Sequence, residues 1–261
     1  MDSSSSSVEP PVTVLIHGVG LDSHMWDRVC SAIEPRPILR YDMLGHGDEP
    51  VVQGPFTLND FVEQLRLLLA AAGIQQCDIV GFSMGALIAQ GFALAYPTSV
   101  RRMILLNGVF NRTSTQRSAV LSRVHDVRTV GYLCTIDPAL DRWFSPNFAA
   151  EEPQAVEIVR TRLQRNDAVA YANAYAVFAT ADRELCQRVG EIRCPTLVVT
   201  GSDDQRSTPE MSIALAAAMP SAQVRIIDRA RHLTPIEVPA QVAEMIDQHF
   251  GTTVLEQSRW I

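Results

Sequence analysis

The chain has 261 residues, 47% of them hydrophobic and 20% charged, which is the composition of an ordinary globular protein. The net charge of −7 argues against nucleic acid as a partner, and because all 22 basic residues are Arg, the pyridoxal enzymes and P-loop NTPases, which need a Lys, are excluded. The five cysteines form no C-x-x-C pair, no apolar run is long enough for a membrane span, and the first residues lack a signal-peptide pattern, so we expect a cytoplasmic protein without a membrane anchor.

Residues 1–10 are predicted to be a disordered tail, because a run of serines cannot bury enough apolar surface to offset its ordering entropy. After this tail, short apolar runs alternate with helical patterns. Strands are predicted at 12–17, 37–42, 77–82, 100–107, 196–201 and 223–228, and helices at 25–33, 57–73, 84–96, 208–219 and 236–249. The alternation predicts an α/β fold with a mostly parallel sheet covered by helices on both faces.

The alternation stops after residue 107, and helical spacing follows at 153–166 and 170–185. We interpret this part of the chain as a helical cap inserted into the sheet domain. The predicted domains are 110–190 for the cap, and 11–109 together with 191–261 for the sheet domain. The cap carries ten Arg against nine acidic residues, so it is slightly positive in a chain that is strongly negative.

The stretch VGFSMGA, residues 80–86, places Ser83 between Gly81 and Gly85 where a predicted strand meets a predicted helix. In one interpretation the two glycines only ease a tight turn. In the other, G-x-S-x-G is a nucleophile elbow, a strained turn that exposes the Ser83 hydroxyl above the sheet. The pattern by itself does not decide between the two.

Two further polar segments follow later strands. Asp203 and Asp204 follow the strand at 196–201, and His232 follows the strand at 223–228. The carboxyl ends of parallel strands form one edge of a sheet, so these groups are expected near Ser83. A serine nucleophile needs a base to take its proton, and the histidine needs an acid to fix its tautomer.

These segments resemble the α/β-hydrolase family over nearly the whole chain. LIHGVG is similar to the family's HGxG turn, YDMLGHG to its D-x-x-G-x-G turn, GFSMGA to its elbow, and RHLTPIEVP to its histidine segment. The chain order Ser83, Asp204, His232 is also the order of that family. The spacing and the stretch AYAVFATADREL are similar to the 3-oxoadipate enol-lactonase-like branch.

The resemblance implies a catalytic triad of Ser83, Asp204 and His232 that works without a cofactor or a metal. The family's G-x-x-D spacing assigns the acid to Asp204 rather than Asp203. The backbone N–H groups of Met84 and Val19 would form the oxyanion hole. Relatives begin with a strand hairpin where this chain has only its first ten residues, so we expect the hairpin to be missing or shortened and the sheet to have six strands rather than eight.

The expected activity is hydrolysis of a small ester, enol-lactone or activated amide through an acyl-enzyme, and the enol-lactonase resemblance implies a carboxylate-bearing catabolic substrate. The alternatives are a hydrolase of enamides or of C–C bonds in ring-cleavage products, a cofactor-free haloperoxidase-like enzyme, and a ligand receptor with a hydrolase fold. Arg112 and Arg117 follow the strand at 100–107 and are candidates for binding the carboxylate, or else they solvate a helical face. The expected partners are a small anionic molecule and, in a homodimer, a second copy of the chain; neither nucleic acid nor a membrane is expected.

Overall fold

The computed structural model describes residues 11–51 and 54–251. Within these residues the centre of the fold is a six-stranded sheet whose neighbouring strands are all parallel, in the order β2-β1-β3-β4-β5-β6. The strands are β1 Thr13–Ile16, β2 Ile38–Tyr41, β3 Cys77–Phe82, β4 Val100–Leu106, β5 Thr196–Gly201 and β6 Ala222–Ile227. The predicted strands are confirmed, and each predicted end lies within about one residue of the observed end. Methods that assign secondary structure differ from one another by as much.

The strands differ in burial according to their place in the sheet. Every residue of β3 and β5 is buried, because helices cover both faces of a central parallel strand and the sequence there is a continuous apolar run. β6 forms one edge and is exposed along most of its length, with Arg225 in its middle. A charged side chain on an edge strand discourages pairing with another chain.

Helices connect the strands in the described part of the chain. They are α1 Asp27–Cys30, α2 Leu58–Ala71, α3 Met84–Ala95, α4 Ser114–Thr129, α5 Ile136–Trp143, α6 Pro146–Glu151, α7 Pro153–Gln164, α8 Ala168–Thr180, α9 Asp182–Leu185, α10 Pro209–Ala218, α11 Thr234–Glu237 and α12 Pro239–Phe250. None of the helices in the described ranges combines the length and apolarity needed to cross a bilayer.

The helices cover both faces of the sheet, as predicted. The crossover from β1 to β2 runs toward one edge, whereas those from β2 to β3, β3 to β4 and β5 to β6 run toward the other. Because crossovers between parallel strands are right-handed, α1 lies on one face and α2, α3 and α10 lie on the opposite face. Helix α12 packs against α1, and α2 packs against α3, as this arrangement requires.

Helices α4 to α9 form an insertion between β4 and β5, where the sequence predicts the cap. The two helices predicted there correspond to α7 and to α8 with α9. One cluster of buried apolar side chains runs through both the sheet and the insertion, from Ile79 and Leu105 to Leu140 and Val159. The division into a cap and a sheet domain therefore stays a prediction, because the apolar core itself is continuous.

Two other predictions have different outcomes at the amino end. The helix predicted at 25–33 is shorter: a 3-10 turn at Ser23–Trp26 leads into the four-residue α1, and the chain then turns so that Ile33 is still buried. The tail predicted at 1–10 lies outside the described residues. Thr57 is the N-cap of α2, because the Thr57 hydroxyl accepts the Asp60 N–H and the Asp60 carboxylate accepts the Thr57 N–H.

Candidate active site

Ser83 stands alone at the turn between β3 and α3, in a conformation that side chains rarely adopt. Its φ is 53° and its ψ is −110°. A Cβ at Gly81 would lie 2.3 Å from the Gly85 carbonyl oxygen, and a Cβ at Gly85 would lie 2.4 Å from the Ile16 carbonyl oxygen. Both glycines are needed because backbone occupies the space beside them. The turn has the strained geometry of a nucleophile elbow.

Three side chains that follow β3, β5 and β6 meet at the carboxyl edge of the sheet. The Ser83 Oγ lies 3.3 Å from His232 Nε2, and His232 Nδ1 lies 2.6 Å from Asp204 Oδ2. All three residues are buried. Because a carboxylate can only accept, His232 carries its proton on Nδ1 and leaves Nε2 to accept from the serine hydroxyl. The neighbouring Asp203 is exposed, and its carboxylate accepts from Ser202 instead.

Asp204 is held as an anion although it is buried. Burial alone would raise its pKa, but the charge and hydrogen bond of His232, the Arg206 N–H and the Asn107 side chain together bring the pKa below its usual value. The donors from the loop are the N–H groups of Arg206 and Ser207, each 3.0 Å from Asp204 Oδ1. An ionised Asp204 can therefore orient the His232 ring and stabilise its protonated form.

Asn107, at the end of β4, supports the acid from the other side. Its Nδ2 donates to Asp204 Oδ2 at 2.9 Å, and its Oδ1 accepts the Thr234 hydroxyl at 2.6 Å. Asn107 is fully buried and has a φ of 48°. The sequence analysis did not select this residue, although its place at the end of the strand between β3 and β5 was a usable signal.

The backbone N–H groups of Val19 and Met84, which the family resemblance assigns to the oxyanion hole, have no acceptor among the described residues. Met84 begins α3. His17 holds the loop before Val19: its Nδ1 donates to the Gly18 carbonyl, and its Nε2 accepts the Met43 N–H at 2.9 Å. Burial lowers the pKa of His17 to about 3, so the ring is neutral and positions the loop without adding charge.

A cavity of about 130 Å³ opens beside Ser83 and His232. It is far below the range of about 300–1,000 Å³ that accommodates drug-sized ligands, so the ligand it fits is small. The Trp143 ring lies 5.8 Å from the His232 ring and closes one side. Five other apolar side chains of the wall come from the inserted helices: Val120, Ala139, Tyr171, Tyr175 and Phe178. Val19, Val109 and Met211 complete the apolar part of the wall.

Comparison with known proteins agrees with this fold. Residues 13–245 match the profile described as the Alpha/beta hydrolase family. The chain belongs to the alpha/beta hydrolase family. It is therefore a hydrolase, and the expected resemblance to this family is confirmed.

Its relatives include hydrolases of the esterase and lactonase type. It is 32% identical to the (E)-2-((N-methylformamido)methylene)succinate hydrolase of Acinetobacter baylyi over 241 residues, 92% of this chain and 90% of that enzyme. It is 26% identical to 3-oxoadipate enol-lactonase 2 of the same organism, over 88% of this chain and 84% of that enzyme. The crystal structure of the enol-lactonase from Burkholderia xenovorans LB400 superposes with a TM-score of 0.86 at 26% identity, covering 93% of this chain and 92% of that chain.

In this alpha/beta hydrolase, Arg112 and Arg117 have a partner that the sequence analysis did not foresee. Both guanidinium groups bind Asp182, with Arg112 Nη1 at 2.8 Å and Arg117 Nη1 at 3.1 Å from Oδ1. Arg112 also donates to the Phe178 carbonyl and lies over the Phe178 ring at 4.5 Å. A buried carboxylate of the protein therefore pairs with both groups, and Arg112 also lines the cavity. That these arginines bind a substrate carboxylate stays a prediction.

Three other arginines line the cavity, and the sequence analysis did not select them. They are Arg123 on α4, Arg142 on α5 and Arg206 in the loop after Asp204. Arg206 had a usable signal, because it lies two residues beyond Asp204 at a strand end. Arg123 and Arg142 belong to helices whose sequence contains no recognised motif. No Asp or Glu contributes to the cavity wall formed by the described residues.

Proposed function

We propose that this alpha/beta hydrolase is a cofactor-free serine hydrolase that cleaves a small carboxylate-bearing ester, enol-lactone or activated amide through an acyl-enzyme on Ser83. The observation that carries the proposal is the chain of contacts from Ser83 Oγ through His232 to Asp204, which faces a small cavity. A serine hydroxyl is a weak nucleophile by itself. It becomes effective when a neighbouring imidazole accepts its proton, and Nε2 of His232 is placed to do so.

In the first half of the reaction the Ser83 oxygen attacks the acyl carbon of the substrate while His232 Nε2 takes the hydroxyl proton. The N–H groups of Val19 and Met84 donate hydrogen bonds to the carbonyl oxygen and stabilise the negative charge that develops there. His232 then donates its proton to the leaving oxygen or nitrogen, and the bond to the leaving group breaks. Asp204 stabilises the imidazolium form between these two proton transfers.

In the second half a water molecule attacks the acyl-enzyme. His232 removes a proton from the water, the same N–H groups hold the second tetrahedral oxyanion, and the proton returns to Ser83 Oγ as the acid product leaves. The protein supplies every proton acceptor and donor in this sequence. The proposed chemistry therefore needs no group beyond the triad, the backbone N–H groups of Val19 and Met84, and water.

The substrate class is supported by the charge of the cavity and by the names of the relatives. The cavity wall is cationic, which favours a substrate with a carboxylate. One relative is named for a succinate with an N-methylformamido group on a methylene carbon, and another for the enol-lactone of 3-oxoadipate. Both names describe an acyl group on a heteroatom that is bonded to a carbon–carbon double bond. The second candidate is therefore hydrolysis of an enamide rather than an ester or lactone.

A covalent trap tests the serine mechanism directly. The protein is treated with a fluorophosphonate, digested and analysed by mass spectrometry, and the steady-state turnover of a short-chain nitrophenyl ester is measured in parallel. We expect the phosphonyl group on the peptide that contains Ser83, none on the peptide of Ser207, which also lines the cavity, and no labelling of Ser83→Ala. A single turnover without steady-state hydrolysis would support a ligand receptor instead, and turnover that survives in Ser83→Ala would refute the mechanism.

A further inference from the structure

The cavity beside Ser83 carries positive charge that the protein does not neutralise. Four arginines line it, and Arg112 alone has a carboxylate partner, Asp182. Within the described residues, Arg123, Arg142 and Arg206 form no ion pair with a carboxylate. The Nε of Arg123 donates to the Tyr175 hydroxyl at 3.2 Å, which leaves the other donors of that guanidinium group available.

These three side chains come from separate elements and converge on one space. Burial and the charges of Arg123 and Arg206 lower the pKa of Arg142, and burial and the charge of Arg123 lower the pKa of Arg206. The three cations therefore repel one another across the cavity. Like charges without counter-ions destabilise a folded protein, so their convergence is explained by an anionic ligand that offsets the repulsion.

Two buried polar atoms beside the cavity also have no partner in the described structure. They are the Nε of Arg142 and the Oγ of Ser207. Ser207 is fully buried, and its N–H is already bound to Asp204. A buried donor without an acceptor costs free energy, and a rotation of the side chain into the cavity would let a ligand oxygen satisfy it. Both atoms belong to residues that line the same cavity as the arginines.

We propose that Arg123, Arg142 and Arg206, with the Ser207 hydroxyl, form a subsite that binds two carboxylates of a short dianionic substrate while its acyl carbon lies at Ser83. This assignment rests on the proposed hydrolase function. It adds to that function the number of carboxylates on the substrate and the residues that bind them. Arg123 and Arg142 are partly buried, whereas Arg206 is exposed and can be hydrated. One carboxylate would leave one of the two partly buried cations without a partner, and two carboxylates would match both.

The geometry favours two separate carboxylates over one compact dianion. Each guanidinium group is a planar fork that binds a carboxylate through two parallel hydrogen bonds. Arg123 and Arg142 extend from different helices, α4 and α5, so each guanidinium group can bind its own carboxylate. The small volume limits the chain between the carboxylates to a few carbon atoms.

The test measures binding to Ser83→Ala, which keeps the cavity but cannot turn over a substrate. Calorimetric titrations compare succinate and glutarate with propionate, with dimethyl succinate and with inorganic phosphate. We expect the dicarboxylates to bind at least about 10-fold more tightly than propionate, since a second charged contact is gained, and phosphate to bind no better than propionate. Equal binding of dicarboxylate and monocarboxylate, or equally tight binding of phosphate, would overturn the assignment.

Substitutions then locate the subsite. In the Ser83→Ala background, Arg123→Gln and Arg142→Gln should each reduce the preference for succinate over propionate by about 10-fold or more, and the corresponding Lys variants should restore part of it. Arg128→Gln is the matched control, because Arg128 is exposed on the same helix as Arg123. If the Gln variants do not fold, the ligand series on Ser83→Ala still decides the matter.

The two proposals fail in different ways. If dicarboxylates bind selectively but the wild-type protein neither hydrolyses an ester nor labels at Ser83, the subsite stands and the hydrolase mechanism is wrong. If the wild-type protein hydrolyses esters and labels at Ser83 but shows no preference among the anions, the mechanism stands and the subsite is wrong.

Discussion

Asp203 and Asp204 are neighbours of identical chemistry that the structure places in opposite environments. Asp204 is buried and accepts from His232, Asn107 and two backbone N–H groups, whereas Asp203 is exposed and accepts from a serine hydroxyl. Sequence spacing favoured Asp204 only through resemblance to a family. The contacts now supply the physical reason, because one of the two carboxylates alone reaches the histidine.

We predict that Asp204→Asn lowers kcat by a factor on the order of 10⁴, because an amide can donate to Nδ1 and would select the wrong tautomer of His232. Asp203→Asn is the matched control and should remain within about 2-fold of the wild type, as expected for an exposed group outside the triad. Steady-state kinetics with a nitrophenyl ester, with circular dichroism to verify folding, measures both. Similar losses in the two variants would contradict the assignment of the acid.

The meeting of Ser83, Asp204 and His232 could be predicted from the sequence, whereas the ion pairs of Arg112 and Arg117 could not, and the reason lies in where the partners stand along the chain. Ser83, Asp204 and His232 each follow a strand, and parallel strands bring such positions together. Arg112 and Arg117 also follow a strand, but their partner Asp182 comes from the far end of the insertion. No local pattern reveals such a distant partner, which is why the sequence analysis did not foresee these ion pairs.

At the scale of elements, the turn between β3 and α3 depends on how closely α3 approaches β1. A Cβ at Gly85 would lie 2.4 Å from the Ile16 carbonyl oxygen and 2.7 Å from that of His17. Both atoms belong to backbone, so they cannot move aside as a flexible side chain does. The same backbone leads into the loop of Val19, and any shift would also move the expected oxyanion hole.

We therefore predict that Gly85→Ala destabilises the protein by about 3 kcal/mol, the upper part of the usual range for overpacking, and lowers kcat. Gly190→Ala is the control, because a Cβ there would meet its nearest neighbour, the Ala218 carbonyl oxygen, at an ordinary 3.5 Å. Urea unfolding at neutral pH gives both free energies of unfolding. A Gly85→Ala variant as stable as Gly190→Ala would show that the strand and helix can separate without cost.

The buried ion network fastens the start of α4 to α9 within the insertion. Asp182 has a side-chain exposure of 1% and accepts from both Arg112 and Arg117. We predict that Asp182→Asn costs about 3 kcal/mol of unfolding free energy, because it leaves a buried guanidinium group without its counter-ion. Glu184→Gln on the same short helix is exposed and should change stability by less than about 0.5 kcal/mol. Equal midpoints of urea unfolding for the two variants would contradict this role.

The helices of the insertion are harder to predict from the sequence than the strands of the sheet. The strands were predictable because each is a short apolar run bounded by turn residues. Helix α4 buries only Val120, Val124 and Val127 among its residues, and apart from Leu121 and Ala119 its other residues are polar or charged. Its apolar stripe is too narrow to stand out before the packing partner is known. Such a helix is stabilised by its contact with α8 rather than by its own pattern.

At the scale of the whole molecule, two neutral histidines beneath the active site make stability depend on pH. His17 and His46 are fully buried, and their rings lie 5.3 Å apart. Burial lowers the pKa of His17 to about 3, with a further lowering by His46, and burial lowers the pKa of His46 to about 4. In the unfolded chain both would titrate near the ordinary value of about 6.5. At a pH between the pKa values of the folded and unfolded states, the unfolded state binds more protons than the folded state.

Stability is therefore complete above about pH 6.5 and is lost as the pH falls toward 3–4. The lowered pKa of Asp204 acts in the same direction but only below about pH 4, the ordinary range of an aspartate. Going from pH 7.5 to pH 5.0, each histidine should remove about 2 kcal/mol, so the wild type should lose about 4 kcal/mol of unfolding free energy.

His46→Gln isolates one of the two contributions. A glutamine can still donate to the Leu44 carbonyl, which accepts from His46 Nδ1, but it does not titrate. We predict that this variant loses only about half as much stability as the wild type between pH 7.5 and pH 5.0, whatever its stability at pH 7.5. His125→Gln is the control, because His125 is exposed and its replacement leaves both buried rings in place. Urea unfolding of all three proteins at both pH values decides the matter: a loss in His46→Gln as large as in His125→Gln would mean that the buried ring takes up its proton without unfolding the protein.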